Sequence, residues 1–187
     1  MLRKKLISAM FLAATGTLLT ASAVADYGNG YGRGRIDRDS YRVQLRGSEE
    51  VPVIITRASG EFRLVINEAA GTMTYQMSYN DLEGTVTQAH IHVGQANVAG
   101  GVSIWLCQTA TNAAPAAVAA ITPDCGGPNS GMFSGTLTKD NVTGPAGQGV
   151  SAGELDDVIS AIRAGKAYGN IHSTLAPGGE IRGQLVH

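Results

Sequence analysis

The chain has 187 residues, 43% hydrophobic, 16% charged and 5% aromatic, with 25 Gly, two Cys and a formal net charge of -1. That length supports one domain and hardly two, and the hydropathy balance argues against wholesale disorder. Near-neutrality gives no electrostatic ground for a nucleic-acid partner, and charge below the usual ~25% with Gly near twice the usual ~7% points to strands and tight turns rather than a helical bundle.

The first 25 residues read as a secretory signal peptide: Arg3, Lys4 and Lys5, an apolar stretch from Leu6 to Leu19, then small residues ending Ala23-Val24-Ala25 before Asp26. Thr15, Gly16, Thr17 and Thr20 interrupt a stretch already short of the ~20 apolar residues a membrane span needs. No Cys follows the cleavage point, so no lipid anchor is expected there. The mature form is expected in the periplasm or outside the cell, without a membrane span. Losing three cations and no acids changes its charge to 11 - 15 = -4. Residues 26–40, DYGNGYGRGRIDRDS, carry one aliphatic side chain and read as a flexible leader, because they cannot bury enough apolar area to offset ordering entropy.

Residues 41–187 form the expected folded domain. Period-2 runs predict strands at Tyr41–Arg46, Glu61–Asn67, Thr72–Tyr79, Val86–Val93, Val102–Cys107, Gly131–Thr138, Ala167–Thr174 and Glu180–Val186. Eight strands at this spacing imply an all-β fold, an antiparallel sandwich or barrel. The short link ending in Gly71 makes the second and third a hairpin. One short amphipathic helix is expected from Leu155, Val158, Ile159 and Ile162, with a capping box from Ser151 to Glu154 and a stop at Gly165. Cys107 and Cys125 enclose an Ala/Pro-rich insert, and in an oxidising compartment they are expected to form a disulfide.

His90 and His92 sit two apart on a predicted strand and so leave the same face, about 6.5 to 7 Å apart. Asn170-Ile171-His172 repeats that local form, and each copy precedes a Gly-Gly pair and another strand, so two similar hairpins are expected. Side by side, they bring His90, His92 and His172 to one patch, a candidate copper or zinc site with Asn170 as an outer orienting group. The competing reading makes these histidines buried polar residues hydrogen-bonded to backbone carbonyls. Glu49 and Glu50 fall in a predicted loop, where solvation is the default. Glu180 and Arg182 are expected on one strand face, paired with neighbours or each other. Neither a G-x-S-x-G elbow, a P-loop nor an H-E-x-x-H motif occurs, so no catalytic residue is assigned.

QLRGSEEVPV at 44–53, QAHIHVG at 88–94, GKAYGNIH at 165–172 and PGGEIRGQL at 177–185, in that order, resemble the chordin-type (CHRD) domain. Val53, Gly169 and Ser173 depart from the family pattern, and Gly169 is expected to loosen packing in its strand. The resemblance implies a secreted β-rich domain of the kind repeated in chordin, an extracellular antagonist of growth factors, and found singly in exported bacterial proteins. The leading expectation is therefore a non-catalytic exported module that engages an extracellular or cell-envelope partner. The alternative is a copper- or zinc-binding protein with redox activity. A looser similarity to copper-zinc superoxide dismutase stops at the His-x-His strand, because a two-metal site needs more than the four histidines present.

Overall fold

The computed structural model describes residues 39–187. The expected signal peptide and leader residues 26–38 lie outside the described residues. Eight strands form one antiparallel sheet: β1 (Ser40–Arg46), β2 (Ser59–Asn67), β3 (Thr72–Asn80), β4 (Val86–Val93), β5 (Gly101–Cys107), β6 (Gly131–Leu137), β7 (Ala167–Ser173) and β8 (Ile181–Gln184). Their spatial order is β5-β4-β7-β8-β1-β2-β3-β6. The last strand is shorter than the expected 180–186, since Glu180 precedes it and Leu185 leaves it.

The sheet curls into a nearly closed barrel whose two end strands are joined by other groups. The chain after β6 bridges to β5 through Ile104 and Val142, and the Thr143 N–H donates to Ser103 O at 2.9 Å. The Tyr75 hydroxyl of β3 donates to Leu106 O of β5 at 2.6 Å. Beside it, the Tyr79 hydroxyl donates to the carbonyls of Cys125 and Gly127. A disulfide joins Cys107 to Cys125 and anchors the insert, which contains a single helical turn, α1 (Ala116–Ala119).

Alternation supplies the core. Phe62, Leu64 and Ile66 of β2 and Met73, Met77 and Tyr79 of β3 point inward and are buried, while Glu61 and Arg63 point out. The β2–β3 hairpin turns on a short 3-10 segment in which Asn67 Oδ1 accepts the Ala70 N–H, with Gly71 at φ 62 closing it in the left-handed region.

The second helix, α2 (Leu155–Arg163), buries Leu155, Val158, Ile159 and Ile162, its i, i+3, i+4 and i+7 stripe, and packs near β4 and β7. It ends in a Schellman motif: the Gly165 N–H bonds Ile162 O and the Lys166 N–H bonds Ala161 O. Its start differs from the expected box. The Glu154 carboxylate accepts the Ser151 N–H at 2.6 Å, but the Ser151 hydroxyl caps nothing and the helix begins only at Leu155.

Gly169 does not loosen its strand, contrary to the sequence expectation. A Cβ there would lie 2.6 Å from Phe62 Cδ1 and 2.8 Å from its Cε1, so glycine is what lets the Phe62 ring cross β7. Gly169→Val is expected to lower stability by ~1–3 kcal/mol through overpacking, read as a fall in urea midpoint, and Gly169→Val with Phe62→Leu to recover part of it.

Candidate metal centre

Ala89 and Ile91 of β4 and Ile171 of β7 belong to the core, so His90, His92, Asn170 and His172 stand on the sheet's other face. β4 and β7 are neighbours, in a register that sets His90 opposite Asn170, His92 opposite Tyr168 and His172 opposite Gln88. The similar hairpins β4–β5 and β7–β8 therefore meet at the His90/Asn170 pair, and His92 and His172 approach it from its two sides. One ligand nitrogen from each of the three rings lies within 4.8 Å of the others. His187 stacks on Tyr41 and is outside this group.

All three rings are buried although they are on the outer face, because loops fold over them. His92 Nδ1 lies 2.9 Å from Gly100 O, and His172 Nδ1 lies 2.9 Å from Pro177 O. A carbonyl only accepts, so both Nδ1 atoms carry protons. Burial holds the pKa of all three rings below the usual imidazole value, His92 at about 4 and His90 well below, so each ring is neutral near pH 7 and has one proton to place. With its proton on Nδ1, His172 presents a lone pair at Nε2, 3.1 Å from His90 Nδ1. His90 donates there and is left with a bare Nε2. The result is three Nε2 lone pairs directed by fixed Nδ1–H bonds, of which those of His90 and His92 meet no hydrogen-bond partner.

The surroundings fix the rings further. Tyr168 stacks on His92 with centroids 4.7 Å apart and planes 2° from parallel, and its hydroxyl accepts the Gly100 N–H at 3.0 Å. The Arg182 guanidinium lies 3.3 Å above the Tyr168 ring and donates to Val98 O and Gln95 O, which ties the β4–β5 loop down. The Trp105 indole meets His90 edge-on at 4.3 Å. Asn170 Oδ1 lies 3.1 Å from His172 Nε2.

Three charged residues are interior: Glu50, expected in solvent, and Glu180 and Arg182, expected on one strand face. Glu180 and Arg182 are 1% and 2% exposed and make no ion pair with each other. The Glu180 carboxylate accepts from the Thr56 hydroxyl, the Glu83 N–H and the Ser173 hydroxyl, clasping two loops to the end of β7. Glu50 is 7% exposed, not solvated, and burial pushes its carboxyl up to about 7 despite the opposing pull of Arg182, the Val51 N–H and the Asn170 amide. The only sign of this in the sequence is that Glu50 and Arg182 fall inside the segments that carry the family resemblance.

No curated protein and no solved structure matches this chain. A family model does, that of the CHRD domain, over residues 41–185, which take in all eight strands except Ser40 at the start of β1. The chain therefore belongs to the CHRD domain family.

Proposed function

We propose that this chain is an exported CHRD module that carries one copper or zinc ion on His90, His92 and His172. The observation behind this reading is the pair of buried, unpartnered Nε2 atoms on His90 and His92. A purely structural role accounts for every Nδ1 but leaves these acceptors empty, at a cost of about 1–3 kcal/mol each. Imidazole nitrogens bind both metals at about 2.0 Å, which puts two ligands on one tetrahedral ion about 3.3 Å apart. One nitrogen of each ring already lies within 4.8 Å of the others, and binding an ion breaks the His90–His172 hydrogen bond and turns the His90 lone pair toward His172 by a ring flip or a change of tautomer. Once bound, such an ion supplies a Lewis acid, or, as copper, a one-electron couple. Export is supported by the tripartite start of the sequence, read as a signal peptide cleaved after Ala25, and by the disulfide, which suits an oxidising compartment. An extracellular or envelope partner draws support from Ile55, 89% exposed, next to Thr56 in one of the loops that Glu180 clasps.

Untagged protein prepared from residue 26 onward tests the metal. One equivalent of copper or zinc by elemental analysis is expected, with a rise in melting temperature as the ion is added. Trp105 is the sole tryptophan and touches His90, so copper(II) is expected to quench its fluorescence in the wild type and not in His90→Ala. Substoichiometric metal with an unchanged melting temperature would falsify the reading.

A further inference from the structure

We infer that Glu50, acting through Asn170, is the buried counter-charge that makes this three-imidazole site favour a divalent over a monovalent ion. The inference rests on the metal reading of the same site. Three neutral imidazoles bring no charge, so an ion enclosed among them depends on its surroundings to offset its own. Glu50 Oε1 is buried, and the donors that act on this carboxyl, the Val51 N–H and the Asn170 amide, leave that oxygen without a hydrogen bond of ordinary length. It faces the Asn170 Nδ2 across Gly179, where a Cβ would collide with both side chains, so glycine at φ 126 leaves the gap through which they approach. The other end of that amide, Oδ1, lies 3.1 Å from the metal-facing Nε2 of His172. Carboxylate and amide thus stand in series, and the amide oxygen sits beside the His172 lone pair, two acceptors that a cation between them would reconcile.

Of the other charges nearby, Arg182 acts on both Glu50 and His92, and each charged group has its own hydrogen bonds. The Arg182 guanidinium is held by Val98 O, Gln95 O and the Tyr168 face, and Glu180 is held by Thr56, Glu83 and Ser173. Glu50 is the carboxylate whose oxygen remains unsatisfied, and its attraction scales with the charge of the ion.

Glu50 is a positioning residue here, and Glu50→Gln removes its charge while keeping its shape. At pH 8, zinc(II) affinity by chelator competition is expected to fall about 10- to 100-fold. Copper(I) affinity, measured anaerobically, is expected to fall by roughly half as much on a logarithmic scale. Asn170→Asp, which moves negative charge closer to the ion, is expected to shift the zinc(II)-to-copper(I) ratio the other way, and provides the test if Glu50→Gln does not fold. Equal losses for both valences in Glu50→Gln, or an unchanged ratio in both variants, would overturn the inference while leaving the metal site standing. A wild type that binds neither ion would overturn both.

Discussion

Raising the pH from 9 to 12 is expected to unfold this protein through two tyrosines. Burial pushes the Tyr79 phenol up to about 12 and raises Tyr75 further, and both hydroxyls donate to carbonyls that a phenolate would repel. A folded-state pKa above the unfolded value of about 10 means that the unfolded chain gives up its proton first. The stability these groups contribute is then complete below pH 10 and is lost as pH rises through 12. A tenfold difference in proton affinity is worth about 1.4 kcal/mol, so Tyr79, whose side chain is fully buried, alone accounts for up to about 3 kcal/mol at the top of the range. The cause is specific to the fold, since Tyr75 crosses the seam between β3 and β5 and Tyr79 holds the strand side of the disulfide-anchored insert. Tyr75→Phe/Tyr79→Phe is expected to start less stable by about 1–3 kcal/mol for each carbonyl left unpaired, and to show a much flatter alkaline limb in urea titrations at pH 9 to 12. An equally steep limb in the variant would place the alkaline transition elsewhere.

Loss of the disulfide is the second large effect. Cys107 and Cys125 are 18 residues apart, and opening a loop of that length is expected to cost about 3 kcal/mol through the greater freedom of the unfolded chain. Cys107 lies at the end of β5 beside Leu106, whose carbonyl takes the Tyr75 hydroxyl, so the insert and the seam are tied at adjacent residues. Cys107→Ala/Cys125→Ala is therefore expected to lose a comparable amount in urea unfolding, with hydrogen exchange rising first in residues 108–127. A change below about 1 kcal/mol, or exchange that rises uniformly, would contradict that coupling.

These clasps are not legible in the sequence, although the strands are. Alternation in β2 and β3 sets both their register and their inner face, and the stripe of α2 determines what it buries. The same alternation puts His90, His92 and His172 on a shared face, because a period of two leaves no other choice once the strands are assigned. What it does not reveal is whether that second face is wet or covered. β4 and β7 are buried on both sides because the loops after β4 and β7 return over them, the first held by Arg182 to Gln95 and Val98, contacts between residues more than eighty positions apart, and the second by Pro177 O to His172. Glu50 is hidden for the same reason: a carboxylate in a loop is solvated by default, and its neighbours Asn170 and Arg182 come from the far end of the chain. Gly169 misleads because strand propensity reports the backbone, whereas the Phe62 ring from β2 decides whether there is room.

The tautomers follow from the carbonyls and not from the histidines themselves. Gly100 O and Pro177 O each demand an N–H, which leaves the lone pairs of His92 and His172 on Nε2, that of His172 facing His90 Nδ1. The placement of an ion among those lone pairs is tested most directly by anomalous diffraction from crystals of untagged protein grown with zinc or copper, recorded on both sides of the metal edge. One peak is expected, bonded at about 2.0–2.1 Å to His90, His92 and His172. A site without a peak, its rings still joined by the His90–His172 hydrogen bond, or a peak held by other residues, would contradict the account.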